Sequence, residues 1–174
     1  MGDAFTRAAW VMVGLGVLAA FGRSAGVPQA AIGAFWALAA ILGGTGIVIS
    51  RRLELAGRFG GRVPITGTAA VLFGLGMIVA PIGGVGFALV MNLAPGPGGR
   101  VWGGMSIFVL GGGLLLTGAG LWLKFALEPW HASRGDAMAQ RIPMMIVRTW
   151  GFGWIGLVGA ALMVAGLVIA IQAI

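Results

Sequence analysis

The sequence predicts an all-α, polytopic integral membrane protein: one bundle of about five transmembrane helices, with its N-terminus inside and its C-terminus outside. The first observation is composition, because 59% of the 174 residues are hydrophobic and only 9% are charged, whereas soluble domains carry about 25% charged residues. The second is that long apolar runs recur along the whole chain without the strict alternation of a membrane strand. Backbone groups in lipid must be paired within their own segment, so these runs are expected to be helices.

Five apolar runs define the predicted helices of this single transmembrane domain, residues 1–174. They cover residues 5–21, 29–50, 65–92, 101–123 and 149–173. Crossing the hydrocarbon core takes about 20 residues, a length that the last four runs reach and the first only approaches. The apolar stretch 8–21 of the first run also resembles the core of a signal peptide, but only Arg7 precedes that stretch, so we expect it to be retained.

The third observation is the distribution of basic residues, which sets the orientation. Nine of the 11 are Arg7, at the start of the first run, and the eight in the loops 51–62 and 124–148; the other two are Arg23 and Arg100. Cytoplasmic loops carry an excess of lysine and arginine, so both basic loops are predicted to be cytoplasmic. The same topology accounts for the net charge of +7, and nucleic acid is not expected as a partner. Richness in Ala, Gly and Arg favours a bacterial inner membrane.

Small residues within the apolar runs predict surfaces where helices pack closely. Glycine and alanine allow two helix backbones to approach in a membrane. In the third run the small residues stand four apart, and in the fourth run two glycines are predicted to leave grooves. The predicted packing residues are Gly76, Ala80, Gly84, Ala88, Gly112 and Gly120.

Pro81 interrupts the third run in the middle of this small-residue stripe. Proline leaves the carbonyl of Met77 without its helical partner and predicts a kink at this point. The alternative is a discontinuous helix whose broken middle binds a substrate, as in secondary transporters. The neighbours of Pro81 are apolar, which favours packing with a kink.

The first basic loop, residues 51–62, combines four arginines with apolar side chains. Arg51, Arg52, Arg58 and Arg62 are predicted to contact anionic lipid or a partner. Two pairs stand four residues apart, Glu54 with Arg58 and Leu55 with Phe59, and this spacing predicts a short helical turn.

The sequence offers few residues for catalysis or for cofactor binding. It contains no cysteine and one histidine, His131, and its four acidic residues all lie outside the apolar runs. Ionisable residues within the membrane usually mark pumps and proton relays, and none lies within these runs apart from Arg7, two residues from the start of the first. We therefore predict no catalytic residue, no metal site and no intrinsic cofactor, although a bound lipid, quinone or carotenoid is compatible with the sequence.

These observations favour a non-catalytic accessory or structural subunit of a multi-subunit membrane complex, and an energy-converting complex is the kind that we expect. Its Gly/Ala-rich faces would pack against other transmembrane subunits or against a second copy, with lipids around them. The alternative is a small oligomeric transporter or channel for a neutral or lipid-like solute. A third hypothesis is a membrane enzyme that uses His131 and nearby acidic residues at the inner surface.

Overall fold

The computed structural model describes residues 2–21, 29–56, 62–93, 96–129 and 138–174. It is built almost entirely of helices, as the composition predicts. The elements are α1 (Gly2–Phe21), α2 (Gln29–Ser50), β1 (Arg52–Ala56), β2 (Arg62–Thr66), α3 (Gly67–Leu93), α4 (Pro97–Trp122) and α5 (Met138–Gln172). A π-helical turn, Leu123–Leu127, continues α4.

Four helices are long and apolar enough to cross a membrane, which agrees with a helical membrane bundle. Their candidate spans are Ala31–Ser50, Gly67–Leu93, Pro97–Leu127 and Gly153–Gln172. The apolar part of α1, Arg7–Phe21, is shorter than these spans, as its marginal length in the sequence indicates.

Two helices extend well beyond the apolar runs that predicted them. The fourth helix begins at Pro97 rather than at residue 101, and the last helix begins at Met138 rather than at residue 149. Proline is well tolerated in the first helical turn, where its missing N–H has no partner to lose. The boundaries predicted from hydropathy were wrong here because a helix can continue beyond the hydrocarbon core, where its residues are polar. The predicted loop 124–148 is correspondingly shorter.

The helices pack in chain order. Within the described residues, extensive helix–helix contacts join α1 to α2, α2 to α3, α3 to α4, and α4 to α5. The five helices therefore form a row rather than a closed ring, with α1 at one edge and α5 at the other. Neighbouring helices are antiparallel, so the C-terminal ends of α2 and α4 lie at the same end of the row as the start of α3.

A β-hairpin stands at this end, which we call the hairpin end. β1 and β2 pair antiparallel, with Leu53 opposite Ile65 and Leu55 opposite Val63. The predicted helical turn in this loop is therefore wrong: Glu54 and Leu55 belong to a strand, and Arg58 and Phe59 lie outside the described residues. Alternation of apolar and polar residues along each strand explains the difference, because it gives a hairpin one apolar face and one polar face.

Two left-handed backbone conformations set the base of the hairpin. Arg51 ends α2 with a φ of 53°, and Gly67 begins α3 with a φ of 64°. The amide of Arg51 donates to the carbonyl oxygen of Ile47 at 2.8 Å, and the amide of Gly67 donates to the carbonyl oxygen of Arg51 at 3.0 Å. A residue in this conformation commonly terminates a helix, so the chain leaves α2 sharply and re-enters α3 beside it.

The apolar face of the hairpin packs against three helices. Ile65 is fully buried and forms a cluster with Ile47 of α2, Ala69 and Ala70 of α3, and Leu121 of α4. Leu53 and Leu55 of β1 pack against this cluster. Burial of an aliphatic side chain contributes about 1.5–3 kcal/mol, so the hairpin fixes the ends of α2, α3 and α4 relative to one another.

Candidate functional site

The predicted small-residue stripe of α3 is only partly turned toward α4. A Cβ atom placed on Gly76 would lie 2.5 Å from the carbonyl oxygen of Gly113, and one placed on Gly113 would lie less than 3 Å from the backbone of Ala80. The contact then continues through Gly83, not through Gly84, whose Cβ position has no atom of the described residues within 4 Å outside its own helical turn. Ala88 is exposed. A stripe with a spacing of four drifts around a helix of 3.6 residues per turn, so its later members leave the interface.

The two predicted glycines of α4 also differ in their surroundings. A Cβ atom on Gly120 would lie 2.7 Å from the carbonyl oxygen of Ala69 and 2.8 Å from the amide nitrogen of Phe73. One on Gly112 would meet no atom of the described part of the chain within 4 Å outside its own helical turn. Gly120 therefore lies where α3 approaches closely, and Gly112 faces away from the neighbouring helices.

Two further glycine contacts lie outside the set of predicted packing residues. Between α2 and α3, a Cβ atom on Gly44 would lie 2.5 Å from the carbonyl oxygen of Gly74. Between α4 and α5, the close contacts repeat every seven residues along α4, and a seven-residue period is typical of helices that pack with a small crossing angle. These glycines are Gly104, Gly111 and Gly118 of α4, with Gly156, Gly159 and Gly166 of α5. The seven-residue spacing is visible in the sequence and could have identified them.

Two threonines within the helices bond to their own backbone. Thr45 donates its hydroxyl to the carbonyl oxygen of Ile41 at 2.8 Å, and Thr117 donates to that of Gly113 at 3.0 Å. Such bonds satisfy a hydroxyl locally and leave no need for a polar partner across the interface. The helix α3 is continuous through Pro81, and the kink at this residue stays a prediction.

Charged residues gather at the hairpin end. Arg51 is exposed, and Arg52 forms an ion pair with Glu54 at 2.9 Å between Nη2 and Oε1. Both partners are substantially exposed, so this pair contributes little to stability. Of the other two predicted contact residues, Arg62 lies in β2 and Arg58 lies outside the described residues.

A groove of about 760 Å³ lies beside the hairpin. We call it the α1–α2 groove. Its floor is made of Ala39, Ala40 and Gly43 of α2, and its walls include Trp10 of α1 and Trp36 of α2. Arg52 and Glu54 line its mouth, so the groove joins an apolar channel to a charged edge. None of its apolar lining residues was predicted as a site residue, because alanines and tryptophans on two different helices carry no shared sequence pattern.

A second groove, of about 410 Å³, runs between α4 and α5 at the same end of the row. Trp122 and Trp154 flank a floor that includes Gly118 and Gly156. The indole N–H of Trp122 donates to the hydroxyl oxygen of Thr149 at 3.1 Å. This bond joins the last turn of α4 to α5 just before the π-helical turn, where Lys124 pairs with Glu128.

No group of three or more His, Cys, Asp or Glu residues within the described ranges is placed to hold a metal ion. His131 and Asp136 lie outside those ranges. Comparison of the chain with protein-family models, curated proteins and solved structures finds no match.

Proposed function

We propose that the chain is a non-catalytic accessory subunit of a multi-subunit membrane complex, with five spans, an inside N-terminus and an outside C-terminus, in a bacterial cytoplasmic membrane. Its helices would hold a fixed row against other transmembrane helices, surrounded by lipid. The observation that carries this proposal is the open row, in which α1 and α5 each pack extensively against one neighbour only within the described residues.

The glycine contacts support a rigid scaffold. Backbone-to-backbone approach between α2 and α3, α3 and α4, and α4 and α5 locks each helix to the next, as small residues do in membrane bundles. A row in which helices contact only their chain neighbours does not enclose a passage by itself. A solute path would therefore need additional chains, which makes the monomer a poor candidate for a transporter.

The outer side of α5 supplies a surface suited to a partner helix. Leu157, Val164 and Ile171 are 61%, 64% and 61% exposed and stand seven residues apart. They lie on the side of α5 opposite Gly159 and Gly166, which face α4. An apolar ridge with this period can pack along another helix in a left-handed crossing.

Photo-crosslinking in native membranes tests the accessory-subunit proposal. With a benzophenone side chain at Val164, we expect a defined adduct with a different membrane polypeptide, identified by mass spectrometry. Leu89, which is 53% exposed but lies on α3 within the row, is the matched control and should give much less of this adduct. Adducts only with a second copy of the chain would favour the oligomeric transporter. The absence of any cross-linked polypeptide at both positions would contradict the proposal.

The proposed topology predicts opposite sides for the two termini. α1 packs along α2, with Ala9 beside Gly43 and Trp36 beside Gly16, so it follows a candidate span for most of its length and is expected to cross with it. The chain has no cysteine, so single substitutions report cleanly. In intact cells an impermeant maleimide should label Ala173→Cys at once, and Asp3→Cys only after permeabilisation. Immediate labelling of both would place the N-terminus outside and reduce the count to four spans.

A further inference from the structure

The α1–α2 groove has the dimensions of a binding site for one lipid chain. Its volume of about 760 Å³ lies within the range of roughly 300–1,000 Å³ typical of small-molecule sites. Along α2 it extends from Trp36 to Ile47, which is about 16 Å at a rise of about 1.5 Å per residue. Half of a hydrocarbon core of about 30 Å is about 15 Å, so the groove matches the depth of a single leaflet.

The surfaces of the groove suit an acyl chain. Ala39, Ala40 and Gly43 carry no large side chain, so the floor is smooth, and Val13, Met77 and the two tryptophans supply apolar walls. Trp36 is 43% exposed and therefore keeps part of its ring available for contact. An acyl chain that covers these surfaces gains dispersion contacts along a preformed channel.

The mouth of the groove carries a positive charge. Arg52 and Glu54 line this mouth, and Arg51, next to Arg52 in the chain, adds a second cation; all three are exposed. Arg52 uses Nη2 for Glu54, and its guanidinium has five N–H donors in all. Arginine binds phosphate through such charge-assisted hydrogen bonds. The exposed ion pair with Glu54 is weak, so Arg52 can bind a phosphate beside Glu54 or in its place.

We propose that the α1–α2 groove binds one anionic phospholipid, with an acyl chain along Ala39, Ala40 and Gly43 and the headgroup phosphate at Arg52. The polar end of the groove lies at the hairpin end, where a headgroup in that leaflet would lie, and its apolar end lies at mid-membrane depth. Charge at one end and a leaflet-length channel behind it together select an anionic lipid over a neutral one. This proposal does not require a partner subunit.

Quenching of Trp36 by brominated lipids tests the site. The protein is reconstituted in vesicles of phosphatidylcholine and phosphatidylglycerol in which one lipid at a time carries bromines in the middle of its acyl chains. The Trp36 contribution is the difference between the unsubstituted chain and Trp36→Phe. At equal mole fraction, brominated phosphatidylglycerol should quench Trp36 more strongly than brominated phosphatidylcholine. Arg52→Gln should lower this selectivity about fivefold, since one basic residue near a membrane surface contributes about a factor of five in binding anionic lipid.

Two controls make the result specific to the groove. Arg100→Gln removes the same charge from the N-terminal turn of α4, at the opposite end of the row, and should leave the selectivity at Trp36 unchanged. Ala40→Phe fills the floor and should abolish the selectivity without removing any charge. Equal quenching by the two lipids in the unsubstituted chain would overturn the proposal. So would a selectivity that Arg52→Gln leaves intact, or one that Arg100→Gln lowers just as much.

Discussion

Replacing Gly113 by leucine should destabilise the protein strongly, whereas the same replacement at its neighbour Gly112 should have little effect. A Cβ atom on Gly113 would lie less than 3 Å from the backbone and the Cβ of Ala80, so the added side chain would force α3 and α4 apart. Overpacking of this kind costs about 1–3 kcal/mol, and we expect the upper end because backbone atoms cannot rotate away. Gly112 has open space at its Cβ position, and a substitution away from packed contacts usually changes stability by less than about 0.5 kcal/mol.

Titration of each variant in mixed micelles with a denaturing detergent, followed by tryptophan fluorescence, gives its free energy of unfolding. The pair is closely matched, because both residues lie in the same turn of α4, lose a glycine and gain the same side chain. Equal destabilisation of the two variants would show that any large side chain added to α4 lowers stability, and that the close approach of α4 to α3 is not the cause.

Much of the helical architecture follows from hydropathy alone. Apolar runs of about 20 residues identify the helices because a bilayer leaves few other ways to pair backbone groups. The same reasoning explains why hydropathy misplaces the start of the last helix. α5 begins at Met138, in a segment that is not apolar enough to be recognised as part of a span. Hydropathy detects what lies in the hydrocarbon, and a helix does not have to end there.

The packing residues were harder to predict than the helices. Gly83 and Gly84 are adjacent glycines in the same apolar run, and the sequence does not distinguish them. In the structure, Leu110 and Ser106 of α4 lie close to the Cβ position of Gly83, whereas the described residues leave open space at that of Gly84. A rotation of about 100° per residue separates neighbours on a helix, and a single sequence does not indicate the rotation of α3 about its axis. The seven-residue spacing of glycines in α4 is a better predictor of packing, because residues seven apart lie on the same face of a helix.

The hairpin carried a signal in the sequence that the helical reading overlooked. The segments Arg52–Ala56 and Arg62–Thr66 alternate between polar and apolar residues, and three glycines lie between them, which together are the pattern of two strands joined by a turn. The pairs spaced four residues apart, Glu54 with Arg58 and Leu55 with Phe59, competed with this alternation. The α1–α2 groove could not have been predicted at all, because it depends on how α1, α2 and the hairpin meet.

Replacing Ile65 by alanine should produce a similarly large loss of stability. Ile65 is fully buried between α2, α3 and α4, and truncation of a buried isoleucine to alanine costs about 2–5 kcal/mol because a cavity is left behind. Ile65→Val should cost only about 0.5–1.5 kcal/mol. The graded series distinguishes packing from any effect of the substitution on strand pairing, since valine keeps the branched shape that strands favour.

Ile49→Ala is the matched control for this series, since the same side chain on α2 is 48% exposed and loses fewer contacts. In the micelle titration the control should cost clearly less than Ile65→Ala. A hairpin that merely rests on the membrane surface would make the two alanine variants equal, because Ile65 would then have few protein contacts to lose. A large difference would instead show that the hairpin holds α2, α3 and α4 together, and that the mouth of the α1–α2 groove, with Arg52 beside it, is held by the same packing.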